Sequence, residues 1–541
     1  MMNNDLLTTT LHDLATFWAT RGVTAWLVGG AVRDLVRGKT PLDLDLAVTG
    51  DGFELARAYA DARQAAFVPL DAERATGRIV LPGPPPLTLD VAGLRGPTIE
   101  ADLRLRDLTI NALAVPLSDA AVQRTPPAPR EGEGGRGGGG EAGRPASDAA
   151  VQRTPPAPRE GEGAEGILPA LIDPTGGLAD LRAGRLRSCG PNSLLDDPLR
   201  VVRVARFAAQ LGWQPMPELV TQMKAAAGKL GVVAHERIRE ELLRLLDAPA
   251  SAPSLRLLDQ TGALTGIFPE LAAARDCAQP RVHFLPVLAH SLETVAALDW
   301  LTTVIMVGDT SRLPAEALPV AVQTHPALAT TIPYASQLAT LLNERRAGGH
   351  RRVALLKLAG LLHDNAKPQT KINHPDGSVT FYGHQEQGAA IALNIARRLR
   401  LARPDAALVA LIVREHMRPG QLRTSGPPTP RALARLFRDF GDATPEVLLH
   451  ELADHLASRG PHTDPAGWEA HLAWFGAILT RYYRPVEERQ PPLLTGHDLI
   501  NELGLSPGPQ LGTLLREVAE AQAADEITSR DEAMALVRKL L

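Results

Sequence analysis

Residues 24–48 change hydropathic pattern three times. "TAWLVGG" is a run of apolar and β-branched residues that stops at Gly29 and Gly30, which predicts a short β-strand and a turn. "AVRDLVRG" then repeats its apolar positions at helical spacing up to Gly38, which predicts a helix ended by glycine. "LDLDLAV" returns to strict alternation, a second strand on which Asp43 and Asp45 leave the same face roughly 7 Å apart at the backbone. Further on, "TINALAVPL" (109–117) and "ILPALIDPTGG" (167–177) read as neighbouring strands of one domain. "ALLKLAGLLHDNAKP" reads as an apolar helix ending on His363 and Asp364, and an amphipathic helix follows Gly508 and Pro509.

Between those two strand candidates the pattern vanishes. "SDAAVQRTPPAPREGEG" stands at 118–134 and again, letter for letter, at 147–163, separated by "GRGGGGEAGRPA". Such a composition buries too little apolar surface to offset chain entropy, so 118–166 is expected to be a disordered insert at a surface loop. The remaining chain, 541 residues in all and 44% apolar, is long enough for three or four domains. A net charge of −4 argues against an overall nucleic-acid magnet and leaves room for a local basic face. Cys189 and Cys277 are the only cysteines, which excludes a disulfide framework or a cysteine metal site and fits a reducing compartment. "MMNNDLLTTTLHDL" lacks the charge and apolar core of a leader, and no run of about 18 uncharged apolar residues occurs. A soluble, cytoplasmic protein without a membrane partner is expected.

The residues then suggest chemistry. A strand, a Gly-Gly turn and a helix start offer backbone N–H groups to an anion such as phosphate. Two carboxylates converging from one strand face suit Mg²⁺, which prefers oxygen ligands and bridges them to substrate phosphates. Arg106, Asp107, Thr109 and Asn111 form a strand-like run able to hold a ribose and triphosphate, and Asp173, Gly176 and Gly177 form a turn. In "DDPLRVVR", Pro198 opens a helix that Asp196 could cap, and Asp197, Arg200 and Arg203 lie three apart on one helical face. A carboxylate beside a guanidinium can read the edge of a base. Asp90, in "LTLDVAG", is a candidate third carboxylate.

"LVGGAVRD" followed by "DLDLAV" resembles the signature of the class II tRNA nucleotidyltransferases and bacterial poly(A) polymerases, within the polymerase-β-like superfamily. Four more stretches resemble that family's motifs in order: 102–114, 171–187, 196–212 and 236–246. The resemblance implies Asp43 and Asp45 as catalytic Mg²⁺ ligands. It also implies a nucleotide-binding set of Gly29, Gly30, Arg33, Arg106, Asp107, Asn111, Asp197, Arg200, Arg203 and Arg206. Asp197 and Arg200 would select between CTP and ATP, and the RNA 3′-hydroxyl would attack the α-phosphorus. Two departures stand out, Leu105 where the family has a first arginine and Asp196 where it has glutamate.

His290, the His363–Asp364 pair, His384, His416 and Asp454 follow the order of the HD metal-dependent phosphohydrolases, and Lys367 resembles the lysine that often follows their HD pair. Imidazole and carboxylate together suit Mn²⁺, Ni²⁺, Zn²⁺ or Fe, which lower the pKa of bound water. The expected architecture is an α/β head with a small mixed sheet (1–190) followed by helical parts. These are a nucleotide-selecting, RNA-binding neck (191–275), an HD domain (276–480) and a tail with sparse Lys and Arg (481–541) that packs or touches tRNA. The expected partners are tRNA, CTP and ATP, with no protein partner legible. CCA addition leads, with CC-only, A-only or poly(A) addition as variants. The alternative from another class is an HD phosphohydrolase with an RNA-binding head.

Overall fold

The computed structural model describes residues 4–41, 43–71, 75–83, 86–117, 170–280, 283–311, 313–484, 491–524 and 526–541. The repeat-containing insert lies outside the described residues. The chain divides into two compact units, 1–230 and 231–541, and this division falls inside the stretch read as the neck.

In the first unit the predicted strand–turn–helix–strand forms as β1 (Ala25–Val28), α2 (Gly30–Val36) and β2 (Asp43–Val48), preceded by α1 (Asn4–Ala19). The unit continues with α3 (Gly52–Arg63), β3 (Ala66–Asp71), β4 (Thr76–Leu81), β5 (Leu87–Gly93), α4 (Ile99–Arg104) and β6 (Ala114–Pro116). The strands order as β3-β4-β5-β2-β1-β6. Only β2–β5 is parallel, so the sheet is mixed. Alternation on β2 sends Leu44 and Leu46 into the core, and Asp43 and Asp45 to the opposite face. The two stretches flanking the insert do meet: Ala114 and Ile172 exchange both backbone hydrogen bonds, at 3.1 and 2.8 Å.

The run 106–111 is not a strand. It follows the end of α4 as a turn and a single 3-10 turn, Thr109–Asn111. The Thr109 hydroxyl donates to Asp180 at 2.7 Å, and the Thr109 carbonyl lies where a Cβ on Gly177 would sit, 2.0 Å away. Asp173 accepts from the N–H groups of Gly177 and Leu178 at 2.8 and 2.9 Å, so it caps the helix Gly177–Ala183.

Among the described residues the second unit is helical apart from a two-stranded ribbon, Ile372–Asn373 with Val379–Thr380. Its central helix, Val287–Val307, is apolar on all sides and nearly fully buried. The helices Arg352–Leu362 and Thr444–Arg459 pack against it, and Arg403–Glu415 packs on both of these. Asp299 of the central helix is fully buried. It accepts from the N–H groups of Ser251 and Ala252 and pairs with Lys357 at 2.8 Å, tying the helix Ala252–Gln260 to the bundle. The tail helices Gly496–Leu503, Pro509–Ala523 and Arg530–Leu540 enclose a small core of their own around Leu499, Val518 and Val537. Among the described residues no helix is long and apolar enough to cross a membrane.

Candidate active sites

In the first unit the site forms at the carboxyl end of β1. Gly29 takes φ 71° and ψ −132°, a conformation that disfavours a side chain. A Cβ there would sit 3.1 Å from both Asp45 Oδ2 and Arg106 Nη1, so the turn leaves open a cradle between a carboxylate and a guanidinium. The Gly29 N–H does not face this cradle as an anion donor, because it donates to the Leu113 carbonyl at 3.1 Å. Register places Asp90 directly opposite Asp45, and Asp43 opposite Thr88, whose hydroxyl donates to it. Three carboxylates therefore share one face. Burial pushes the Asp45 carboxyl up, Arg106 opposes this, and Asp90 and Asp43 add to it.

A polar network ties the other predicted residues together. Arg33 Nη1 donates to Asn111 Oδ1 at 2.8 Å, Asn111 donates to Asp107 Oδ1 at 3.1 Å, and Arg203 donates to Asp107 Oδ2 at 2.6 and 2.8 Å. Burial resists ionisation of Asp107, yet Arg203, Asn111 and the Leu108 N–H hold its carboxyl well below the usual range. The guanidinium carbons of Arg33, Arg203 and Arg206 lie 5.3, 5.6 and 3.9 Å from the Phe207 ring centre. Asp197 is not on the helical face with Arg200 and Arg203: it follows the short helix Ser193–Asp196, and the next helix spans Leu199–Leu211. Asp196 ends that short helix rather than capping the next one. The Arg200 guanidinium donates to Ser193 and to the carbonyls of Leu105 and Arg106. Asp90 is held by Arg78, whose Nε and Nη2 lie 2.7 and 2.8 Å from its two oxygens.

In the second unit all six predicted ligands converge. Asp364 Oδ2 lies 3.1 and 3.5 Å from Nε2 of His363 and His290. Its Oδ1 lies 3.5 and 3.8 Å from Nε2 of His384 and His416. Asp454 lies 2.9 Å from His290. The carboxylate of Asp364 thus joins two ligand groups, His290–His363–Asp364 and Asp364–His384–His416. The Nδ1 atoms of His363, His384 and His416 bond the carbonyls of Gly360, Phe381 and Val413, each three residues earlier, at 2.9, 2.7 and 2.7 Å. With Nδ1 as donor, each Nε2 carries a lone pair into the centre.

The Nε2 atoms meet in pairs 3.3 Å apart, His290 with His363 and His384 with His416. Two nitrogens bound to one ion at about 2.0–2.1 Å and a tetrahedral angle are roughly 3.3–3.4 Å apart. Asp364 Oδ1 is buried without a hydrogen bond, so the donor set fits a cation on each side. Burial lowers His416 to about 3 and also lowers His384, which keeps both rings neutral as ligands must be. Lys367 Nζ lies 2.6 Å from Asp364 Oδ2.

Sequence reasoning missed His450. It is fully buried, neither ring nitrogen has a hydrogen-bond partner, and its ring centre is 4.9 Å from that of His363 and 5.8 Å from that of His416. Its position four residues before Asp454 on one helix was the available signal.

Fold and sites define a polymerase-β-type nucleotidyltransferase head joined to an HD domain. Family models match along the chain: "Poly A polymerase head domain" over 25–124, "Probable RNA and SrmB- binding site of polymerase A" over 214–275, "HD domain" over 334–459 and "tRNA nucleotidyltransferase domain 2 putative" over 476–537. An A-adding tRNA nucleotidyltransferase of Deinococcus radiodurans is 32% identical over 95% of both chains. A CC-adding tRNA nucleotidyltransferase of Geobacter sulfurreducens is 31% identical over 96% of this chain and 92% of its own. The chain belongs to the tRNA nucleotidyltransferase family. Its fold is also that of the Thermotoga maritima CCA-adding enzyme complexed with tRNA (TM-score 0.55, 18% identity, 98% of this chain and 95% of that one). A CCA-adding enzyme with ATP matches at TM-score 0.58 and 19% identity, over 99% and 96% of the two chains.

Proposed function

We propose that this enzyme transfers nucleotidyl groups from CTP and ATP to the 3′-hydroxyl of tRNA, releasing pyrophosphate, in the cytoplasm. The observation that carries the reading is the open cradle at Gly29, with Asp45 on one side, Arg106 on the other and Asp43 on the same strand face. Asp43 and Asp45 would hold Mg²⁺. When bound, that ion neutralises the triphosphate and acidifies the attacking hydroxyl. Arg106 faces the same cradle and offers charge to phosphate oxygens as they become more negative. The Asp107 network fixes Arg203 and Arg33 before substrate arrives. Asp197 and Arg200 offer an acceptor and donors to a base edge, and Arg200 does so by releasing the Leu105 carbonyl.

The HD centre adds a phosphohydrolase activity in this reading. His290, His363, Asp364, His384, His416 and Asp454 would hold Mn²⁺, Ni²⁺, Zn²⁺ or Fe, which supplies a metal-activated water for attack on a phosphate ester.

A partial activity, A-only or CC-only, is the second reading. Four relatives with partial-activity names align over at least 95% of this chain and a fifth over 44%, and the relatives named multifunctional CCA proteins align over 46–72%. The test is incubation with labelled CTP or ATP, Mg²⁺ and tRNA transcripts ending before CCA, after CC, or complete. Extension of the shortest transcript by CCA supports full addition, and arrest after CC or activity only on the CC-ending transcript assigns a partial enzyme. Absence of incorporation on every transcript overturns the reading.

A further inference from the structure

On the sheet face that carries the cradle, charged residues form a row across three strands. Register sets Arg78 of β4 opposite Asp90 of β5, and Asp90 opposite Asp45 of β2. Directly paired residues point to one face, so the row runs cation, carboxylate, carboxylate. Arg78 engages both oxygens of Asp90 with two nitrogens, the strongest geometry available to a guanidinium and a carboxylate. The pair is only partly covered, with side chains 38% and 25% exposed, so it can be exchanged without opening the core.

Three carboxylates on one face could all take an ion. Magnesium that works on a triphosphate keeps one or two carboxylates and leaves its other positions to phosphate oxygens and water. A third carboxylate would occupy one of those positions.

We propose that Arg78 sets the ligand count of the head's ion site, holding Asp90 out of the set so that Asp43 and Asp45 alone bind the ion. Arg78 is a positioning residue and touches no reacting atom. The inference rests on the reading of Asp43 and Asp45 as ion ligands.

Mn²⁺ binding to the full chain without nucleotide, followed by electron paramagnetic resonance, tests both ideas separately. Binding lost on Asp45→Asn defines the head's ion. Asp90→Asn is expected to leave its affinity unchanged, Arg78→Met to tighten it roughly tenfold by freeing Asp90, and the double variant to return to the wild-type value. Arg78→Lys, which keeps the charge and loses the fork, moves affinity in the same direction by less and serves if the methionine variant does not fold. The proposal is overturned if Arg78→Met and Arg78→Lys leave the affinity unchanged, or if Asp90→Asn weakens it as Asp45→Asn does. If Asp45→Asn removes no Mn²⁺, the ion-site reading itself fails, and the role of Arg78 falls with it.

Discussion

Asp107 concentrates the head's polar network: a buried carboxylate held by Arg203, Asn111 and the Leu108 N–H. Removing Arg203 leaves that charge enclosed, so Arg203→Met should cost roughly 2–3 kcal/mol at pH 7. The pH dependence has a definite sign. A carboxyl whose folded pKa lies below its unfolded value of about 3.9 contributes stability above that value and loses it as pH falls toward the folded one. Urea midpoints should therefore fall between pH 6 and about pH 3 in wild type, and fall less in Arg203→Met. An equal fall in both would remove Asp107 from the account. His450 gives a second prediction. Two unpartnered ring nitrogens cost about 1–3 kcal/mol each when buried, so His450→Leu should raise the melting temperature in chelator. That gain should shrink when Mn²⁺ is added if the nitrogens serve the ion-loaded centre. Six metal-site residues were legible only as an ordered set, a His, a His-Asp pair, two further histidines and a late Asp, since any one of them alone reads as an ordinary helix residue. His450 was missed because it lies outside that order, although its place one helical turn before Asp454 puts it on the same face.

At the scale of elements, β1, α2 and β2 were legible because alternation and helical periodicity each act within a few residues. Residues 106–111 were not. Leu108, Thr109 and Ile110 carry strand-like side chains, but the segment's shape is set by Asp180 and Arg203, 71 and 96 residues away in sequence. Tertiary contacts of that kind override local propensity. Gly177 shows how tight the fit is. Gly177→Ala would drive a methyl group into the Thr109 carbonyl and should destabilise the head by about 1–3 kcal/mol, read as a lower thermal midpoint. Retention of the wild-type midpoint would mean that the 3-10 turn moves freely. Asp197 was misplaced for a related reason: a three-residue spacing marks a helical face only where the helix has already begun.

For the whole molecule, the two donor sets lie in separate compact units. Asp45→Asn is expected to reduce nucleotide incorporation by about 10²–10³-fold or more while hydrolysis of a chromogenic phosphodiester in Mn²⁺ is unchanged. Asp364→Asn should do the reverse. Loss of both activities in either variant would show that the units are chemically coupled. Two separate sets of ordered motifs were legible in the sequence, one for the head and one for the HD domain. The passage of the chain from one unit to the other at residues 230–231 was not legible, because an amphipathic helix announces a buried face without naming what buries it.

The bridge between Ala114 and Ile172 also bears on the history of the gene. Because those backbones are already fastened to each other, the length of chain between them enters the folding free energy only as a logarithm, about 0.6 kcal/mol per doubling. Deleting residues 118–146, one repeat copy with its spacer, should therefore leave the thermal midpoint and nucleotide incorporation nearly as they were. A seam closed in this way hides copying errors from selection. Tandem duplications can accumulate there as neutral passengers, and a reporter domain could be spliced in at the same place.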